Sequence, residues 1–253
     1  DLLPLEVDEE TVERIRDTVA GEIDAGQYPP GAKLPTEAAL SQRFGVNRHT
    51  VRRALEALEL DGRIHVRRGS GSFVTQGRFD YPISPTTRLS RNLAELGLTP
   101  GRRHLRLETL PAGPREARSL AIAEGAPVVV NETVGEADGV PIVYGHHYYP
   151  AERLPGIAEA LAEEGGVTAA LARVGHGNYR RTWTRLLAER PGALIARHLR
   201  MTETHPVLFA ESLNVDAEGV PIQLGHAWFC SDRVQLFVEG TNSHNGTNEG
   251  VTG

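Results

Sequence analysis

The segment that most constrains the fold of this chain is residues 34–74, which read LPTEAALSQRFGVNRHTVRRALEALELDGRIHVRRGSGSFV. Thr36 stands where a side-chain oxygen can cap a helix, and Gly45 stands where that helix must end. Asn47 begins a second helix, with apolar residues recurring on one side and arginines on the other. Glycines then turn the chain between two short strands. The order is helix, tight turn, arginine-rich helix and hairpin.

Arginine is concentrated on the second helix and on the hairpin. Residues 43–68 hold seven arginines and three acids, in a chain whose formal net charge is −6. Guanidinium groups bind phosphates in a bidentate fashion and can read guanine in the major groove. A solvated arginine face on an ordinary helical hairpin is the alternative interpretation. The turn spacing and the glycine-rich hairpin favour a winged helix-turn-helix that binds double-stranded DNA.

The same segment resembles the GntR family of bacterial transcription regulators, over about the first 75 residues. The likeness is carried by Pro-Gly before LPTE, by the turn VNRHT and by a wing that ends in Gly-x-Gly. It implies that the second helix and the wing enter DNA grooves. Ala38 departs from the pattern, because many members carry an arginine there. The residues that we expect to position or contact DNA are Thr36, Arg43, Asn47, Arg48, His49, Thr50, Arg52, Arg53, Arg67, Arg68, Gly69 and Gly71.

Length and composition indicate the number of domains and the compartment. The chain has 253 residues, one cysteine and no apolar run long enough to cross a bilayer. A lone cysteine excludes an intramolecular disulfide framework, and the acidic first residues do not resemble a signal peptide, so we expect a cytoplasmic protein. We expect no cofactor. The predicted divisions are a DNA-binding domain at 1–75, a linker at 76–85, a second domain at 86–239 and a disordered tail at 240–253.

The second half of the chain contains an internal repeat. Residues 127–146 read PVVVNETVGEADGVPIVYGH, and residues 206–226 read PVLFAESLNVDAEGVPIQLGH. Each copy is a strand, a turn rich in Asp and Gly, and a second strand, which predicts a β-hairpin. His146 aligns with His226. Two related hairpins, with helices predicted at 151–163 and 168–174 between them, indicate an α+β fold around an antiparallel sheet.

This half resembles the UTRA ligand-binding domain of the HutC subfamily of GntR regulators, over roughly residues 83–239. The likeness is carried by LSRNLAELGLTPGRR, DGVPIVYGHHYYP and EGVPIQLGHAWFCSDRVQL. It implies a fold similar to that of chorismate lyase. The run NYRRTWTRLLAERP is most similar to the PhnF-type regulators of phosphonate metabolism.

Several polar residues of this half are candidates for binding a small anionic effector. Ser90 and Arg91 stand at a predicted helix start, where free N–H groups favour phosphate or phosphonate. Four residues between 179 and 185 add two guanidinium groups and two hydroxyl groups, and in a regular strand Thr184 points away from the other three. Exposed charged residues on a surface strand are the alternative. The expected effector-binding residues are Ser90, Arg91, Thr133, His146, Tyr179, Arg181, Thr184, Arg185 and His226.

Two features of this half limit which ligands it is expected to bind. Thr133 and Gly135 stand where sugar-phosphate-binding relatives carry arginines, so the resemblance argues against a sugar phosphate. His146, His147 and His226 are possible metal ligands, and the repeat brings His146 and His226 together. No third ligand stands at convincing spacing, so we expect hydrogen-bonding or structural histidines and no metal site.

Two functional classes remain open. The first is a homodimeric repressor that binds a near-palindromic operator and responds to a phosphonate or a phosphate-like anion, with a sugar phosphate or a urocanate-like acid as alternatives. The second is an enzyme similar to chorismate lyase, using Arg181, Arg185 and either Glu132 or Glu211. The sequence shows no nucleophile paired with a base and no phosphate loop, which favours the regulator.

Overall fold

The computed structural model describes residues 9–67, 69–75, 77–84 and 89–238, and its N-terminal part is built on three helices. These are α1 (Glu9–Asp24), α2 (Glu37–Phe44) and α3 (Arg48–Leu60). Their apolar residues recur at helical spacing and meet in one core, where Ile15, Val51 and Leu58 are fully buried. Because the apolar side of α3 packs inward, its arginines face outward.

A hairpin follows α3. Strand β1 (Ile64–Arg67) pairs antiparallel with β2 (Gly71–Val74), and both strands pack on the helical core. Gly69 and Gly71 have φ angles of 77° and 108°, which residues with a side chain rarely adopt. The three helices and the hairpin confirm the predicted winged helix-turn-helix.

The segment after the wing contains a strand that the sequence did not reveal. Residues 79–82 lie in the predicted linker, and in the structure they form β3 (Phe79–Pro82). This strand pairs in parallel with β10 (Val234–Phe237), near the end of the described chain, and Tyr81 is buried there. A strand whose partner lies so far along the chain leaves no local pattern. The predicted tail at 240–253 lies outside the described residues.

A six-stranded antiparallel sheet forms the centre of the second part. Its strands are β4 (Pro100–Pro111), β5 (Pro127–Ala137), β6 (Val140–Pro150), β7 (Arg180–Glu189), β8 (Val207–Val215) and β9 (Pro221–Cys230). Across the sheet they follow the order β4-β5-β6-β9-β8-β7. This arrangement confirms the predicted α+β fold with an antiparallel sheet.

The internal repeat supplies the four inner strands. One copy is the β5–β6 hairpin, and the other is the β8–β9 hairpin. Strand β6 pairs with β9, which brings His146 directly opposite His226. Each hairpin has a register shift at the same position of the repeat, between Gly135 and Glu136 and between Asn214 and Val215. A bulge of this kind changes which residues share a face of the sheet.

Short helices lie on both faces of this sheet. They are α4 (Leu89–Glu95), α5 (Pro114–Leu120), α6 (Ile157–Glu163), α7 (Val167–Arg173) and α8 (Ala193–Leu199). Helices α6 and α7 pack with Val129 and Tyr149 on one face, whereas α8 packs with Tyr144 on the other. None of the helices within the described ranges has the length and apolar character needed to cross a membrane.

Helix α6 begins later than the sequence predicted. The expected start was residue 151, but the helix begins at Ile157. Gly156 precedes it with a φ of 82°, and this left-handed conformation cannot be part of a right-handed helix. The second predicted helix, at 168–174, corresponds to α7 within one residue at each end.

Arg233 connects three backbone carbonyl groups near the end of the second part. Its side chain is buried, and its guanidinium donates to Pro141 O at 2.8 Å, to Leu199 O at 2.6 Å and to Arg200 O at 2.9 Å. Charged donors make stronger hydrogen bonds than neutral ones, and a buried carbonyl that loses its donor is costly. Arg233 therefore stabilises the contact between the β6 strand and the segment after α8.

We expect Arg233→Ala to lower the free energy of unfolding of the second part by about 3 kcal/mol or more, because three carbonyls lose their donor. Urea denaturation followed by circular dichroism measures this change. Arg180→Ala, at an exposed arginine of β7, is the matched control and should change the free energy by less than about 0.5 kcal/mol. Equal losses in the two variants would contradict the structural role of Arg233.

Candidate functional site

Side-chain caps fix the turn between α2 and α3. Thr36 Oγ1 accepts a hydrogen bond from Ala39 N at 3.2 Å, and Asn47 Oδ1 accepts one from Thr50 N at 2.8 Å. The Thr50 hydroxyl also donates to Asn47 Oδ1 at 3.1 Å, and Thr50 is buried. Thr50 was expected to position or contact DNA. Its buried hydroxyl holds the first turn of α3, which is a positioning role.

Three arginines of the expected DNA-binding surface pair with carboxylates of the same domain. Arg52 donates to Glu37 at 2.9 Å. The remaining pairs are Arg43 with Glu22 and Arg53 with Glu9. Exposed ion pairs contribute little stability, so DNA phosphates can replace these carboxylates at small cost.

Two exposed residues at the start of α3 have no such partner. Arg48 and His49 make no ion pair or side-chain hydrogen bond within the described part of the chain. They lie at the N-terminal end of the helix that follows the turn, the position from which helix-turn-helix proteins contact base edges. Arg48 is therefore the guanidinium most directly available to DNA.

Arg67 connects the wing to the second part of the molecule. Its guanidinium donates to Asp138 Oδ2 at 3.1 Å and lies 4.8 Å from the ring centroid of Phe73. Asp138 is in the turn of the β5–β6 hairpin, where its other carboxylate oxygen accepts Thr99 N at 2.9 Å. Arg67 was expected to contact DNA, but in this arrangement it contacts the hairpin turn. Gly69 and Gly71 are exposed at the wing, and Arg68 lies outside the described residues.

A cavity of about 670 Å³ lies on one face of the six-stranded sheet, bordered by residues of α4 and α7. Its volume is that of a small-molecule site. Polar groups in its lining come from Arg91, Arg102, Thr133, His147, Thr168, Tyr179, Arg181, Thr184, Ser212, Asn214 and Gln223. No Asp or Glu of the described chain is in the lining, so the three guanidinium groups make it electropositive.

The structure brings together some of the expected effector-binding residues and separates others. Those in the cavity lining are Arg91, Thr133, Tyr179, Arg181 and Thr184. Three others, His146, Arg185 and His226, lie on the opposite face of the sheet. The side chain of Ser90 lies outside the described residues.

A β-bulge explains the position of Arg185. The register between β7 and β8 shifts between Arg181 and Trp183, so Arg181 and Thr184 face the cavity together. Arg185 points to the other face, where it reaches Glu211. The expectation that Thr184 points away from Arg181 was wrong, because strict alternation fails at a bulge.

A second bulge explains why His147, and not His146, faces the cavity. The register shift between Gly135 and Glu136 pairs Thr133 with Gly145. Residues two apart share a face, so His147 lies on the same side as Thr133. Without the shift, His146 would have taken that side. The polar lining residues that the sequence did not single out as effector-binding are Arg102, His147, Thr168, Ser212, Asn214 and Gln223.

The imidazole of His147 lies against two glycines. A Cβ atom at Gly145 would come within 2.7 Å of Nε2, and one at Gly225 within 3.0 Å of Nδ1. Burial, together with the positive charge of Arg102, lowers the pKa of His147 to about 3, so this imidazole is neutral at physiological pH. The two glycines therefore make room for a neutral hydrogen-bonding ring on the cavity floor.

Several buried polar atoms of the cavity have no hydrogen-bond partner within the described residues. They are His147 Nδ1, Thr184 Oγ1 and Asn214 Oδ1. Their neighbours are held in place, since Asn214 Nδ2 donates to Gln223 Oε1 at 2.5 Å and Gln223 Nε2 donates to Tyr149 OH at 2.9 Å. Buried polar atoms are nearly always paired, so this cluster is a candidate site for a polar ligand.

The opposite face carries a separate ionic network centred on Glu211. This buried carboxylate contacts Arg115 at 2.6 Å, Arg185 at 3.3 Å and His226 at 3.3 Å. Burial raises the pKa of Glu211, but the hydrogen bond from Arg115 and the contact with His226 leave the pKa below its usual value. These side chains bind one another, away from the cavity. Across the described ranges, no group of three His, Cys, Asp or Glu side chains could hold a metal ion.

A winged helix-turn-helix joined to a domain with an electropositive ligand cavity defines a ligand-responsive class of DNA-binding protein. The family described as "Bacterial regulatory proteins, gntR family" matches residues 11–74, and the UTRA domain matches residues 95–235. The chain belongs to the GntR family of bacterial regulatory proteins and carries a UTRA domain. It is a transcriptional regulator.

Relatives along nearly the whole chain support this assignment. An uncharacterized HTH-type transcriptional regulator, RB1450 of Rhizobium meliloti, is 36% identical over 89% of this chain and 93% of its own. The HTH-type transcriptional repressor PhnF of Mycolicibacterium smegmatis is 29% identical over 81% of this chain and 82% of its own. The crystal structure of PhnF from Mycobacterium smegmatis has a TM-score of 0.62 and 26% identity, and covers 90% of this chain and 99% of its own.

These relatives are regulators and not enzymes. The enzyme hypothesis used Arg181, Arg185 and either Glu132 or Glu211. Arg185 does reach Glu211, at 3.3 Å, but Arg181 does not join them. Glu132 binds the Tyr144 hydroxyl at 2.6 Å and Glu211 binds Arg115, both on the face opposite the cavity. Arg181 lines the cavity, so the sheet separates it from either carboxylate.

We expect Arg48→Ala and Arg52→Ala each to weaken operator binding by roughly 5- to 150-fold, the loss associated with one bidentate DNA contact. The measurement is a gel-shift titration at fixed salt, with a duplex selected by the wild-type protein from a random library. Arg173→Ala, which removes an exposed arginine from α7, is the matched control and should bind as the wild type does. Wild-type affinity in both α3 variants would mean that α3 does not contact the DNA.

Proposed function

We propose that this regulator is a repressor that binds a near-palindromic operator as a homodimer and is controlled by a small phosphonate or phosphate-like anion in the cavity. The observation that carries the proposal is the charge of the lining, in which the described chain places three guanidinium groups and no carboxylate. Guanidinium groups match the geometry of phosphate and phosphonate oxygens and hold them with charge-assisted hydrogen bonds.

The three arginines do not contribute equally. Arg91 is exposed and already pairs with Glu95 at 2.8 Å, so it lies at the rim. The charges of Arg102 and Arg181 reach the buried end of the cavity, because each of them lowers the pKa of His147. We assign the anion to Arg102 and Arg181, with hydrogen bonds from Thr184 and from the neutral His147 completing its coordination.

Repression and dimerisation are supported by separate observations. The relative from Mycolicibacterium smegmatis is named as a repressor. A two-fold dimer would place two α3 helices about 34 Å apart, on successive turns of DNA. The edge strand β7 exposes Leu186 and Leu187, at 46% and 60% of their surface, and an exposed apolar edge strand favours coverage by a second copy.

Other small anions are weaker candidates. A sugar phosphate would present hydroxyl groups that donate hydrogen bonds, and the cavity offers them no carboxylate among the described residues. A urocanate-like acid would fit the sign of the charge, but its carboxylate offers two oxygens to the two arginines, whereas a phosphonate offers three oxygens and more negative charge. Phosphonate and phosphate-like groups use both arginines.

We expect at least one phosphorus oxyanion to raise the melting temperature of the full chain by roughly 5–10 °C at a hundredfold excess over its Kd. Differential scanning fluorimetry with inorganic phosphate, methylphosphonate, butylphosphonate, glucose 6-phosphate and urocanate measures this. Arg102→Ala and Arg181→Ala should remove the shift, whereas Arg118→Ala on α5, on the opposite face, should retain it. A shift with urocanate alone, or one that survives Arg102→Ala, would refute the proposed anion site.

A further inference from the structure

The floor of the cavity changes from apolar to polar along the strands. Strands β6 and β9 lie in register, so residues two apart form successive rows on the cavity face. The three rows are Val143 opposite Phe229, then Gly145 opposite Ala227, then His147 opposite Gly225. The first row is apolar, the second is made of small residues, and the third is polar.

The apolar row belongs to a larger apolar cluster. Val143 and Phe229 are buried there with Tyr81, and Ile83 and Leu89 pack against them. All five residues line the cavity. Among the described residues, the side chains that line this end are apolar, apart from the hydroxyl group of Tyr81 and the exposed Arg91 at the rim.

Gly135 keeps the apolar end free of a polar side chain. It pairs with Val143, and a Cβ atom at this position would come within 2.7 Å of both Leu89 Cδ2 and Val143 Cγ1. A longer side chain would displace the apolar residues that meet there. Because Gly135 has no side chain, the surface at this position stays apolar, and Gly135 adds no group that could make a second contact with the anion.

The polar row continues across β8 to β7. Ser212 lies opposite both Gly225 and Thr184, and in the next row Asn214 lies opposite Arg181. The positive charge of Arg102 acts on Tyr149, which hydrogen-bonds Gln223 in that last row. The register therefore places Arg181 at the polar end. Arg102 starts on β4 opposite Gly135, and its positive charge acts on His147 and Tyr149 at that same polar end.

The two ends are too far apart for a simple anion to contact both. Four residues separate Phe229 from Gly225 on β9, which corresponds to roughly 13 Å along the strand. Ala227 and Ala210, opposite each other on β9 and β8, form a low floor between the two ends, whereas the neighbouring Gly145 is covered by the His147 imidazole and the Thr133 hydroxyl. A single tetrahedral group such as inorganic phosphate occupies one row only.

We propose that the effector is an amphiphilic organic anion, with its oxyanion head between Arg102 and Arg181 and a hydrocarbon tail that lies over Ala210 and Ala227 and ends against Val143 and Phe229. This inference rests on the proposed function, because it takes the anion site as given and adds the class of molecule. The tail gains the free energy of burying apolar surface, which inorganic phosphate cannot.

A homologous series of ligands tests the tail. Isothermal titration calorimetry on the full chain compares inorganic phosphate, methylphosphonate, butylphosphonate and hexylphosphonate, which share one head and differ in tail length. Each buried methylene should tighten binding about fourfold until the apolar end is filled. We expect butylphosphonate to bind at least tenfold more tightly than methylphosphonate, and methylphosphonate to bind no more weakly than phosphate.

A matched pair of variants locates the tail. Ala227→Leu raises the low floor between the two ends, so it should abolish the gain from butyl over methyl and leave methylphosphonate affinity within about twofold. Ala188→Leu makes the same change on the exposed part of β7, outside the cavity, and should retain the full gain. Should Ala227→Leu fail to fold, the comparison of the four ligands on the wild-type protein still decides.

The outcomes separate this inference from the function on which it rests. Equal affinity for methylphosphonate and hexylphosphonate, or a gain with tail length that survives in Ala227→Leu, would overturn the tail and leave the anion site standing. Failure of every phosphonate to bind, or binding that is unchanged in Arg102→Ala, would overturn the anion site itself. The full proposal is supported if binding tightens as the tail lengthens and if this gain is lost both in Arg102→Ala and in Ala227→Leu.

Discussion

The pairing of β6 with β9 is the interaction on which the rest of the second part depends. A lone hairpin is marginally stable in water, and this pairing joins two related hairpins into one sheet with two usable faces. On one face it sets His147 against Gly225, at the polar end of the cavity. On the other it sets His146 against His226, beside the ionic network of Glu211.

The β5–β6 hairpin belongs both to the cavity and to the contact with the wing. Thr133 and Val143 line the cavity, and Asp138 in the turn binds Arg67 of the wing. A second, longer ionic contact joins Arg200 to Glu59 of α3 at 3.9 Å. A ligand changes DNA affinity only if it binds two states of the protein differently. Within the described chain, the hairpin contacts both the cavity and the wing, so it can carry such a difference to the DNA-binding part.

Local chemistry made much of this fold predictable. The caps at Thr36 and Asn47, the helical spacing of apolar residues and the glycines of the wing each determine structure within a few residues. The repeat predicted the two hairpins because its turns, rich in Asp and Gly, also determine structure within a few residues. The faces of the strands were not predictable, because the bulges at 135–136 and near residue 182 reverse side-chain direction without a sequence signal. Strand β3 and the partner of Arg67 depend on residues distant in the chain, which periodicity does not report.

Operator affinity measured with and without butylphosphonate tests most directly whether the cavity controls DNA binding. The titration uses the full chain, its selected duplex and fixed salt, at a ligand concentration that calorimetry shows to be saturating. The Kd for the duplex should change at least fivefold in the wild-type protein and should not change in Arg102→Ala. An unchanged Kd in the ligand-saturated wild-type protein would show that the cavity and the DNA-binding surface are not coupled.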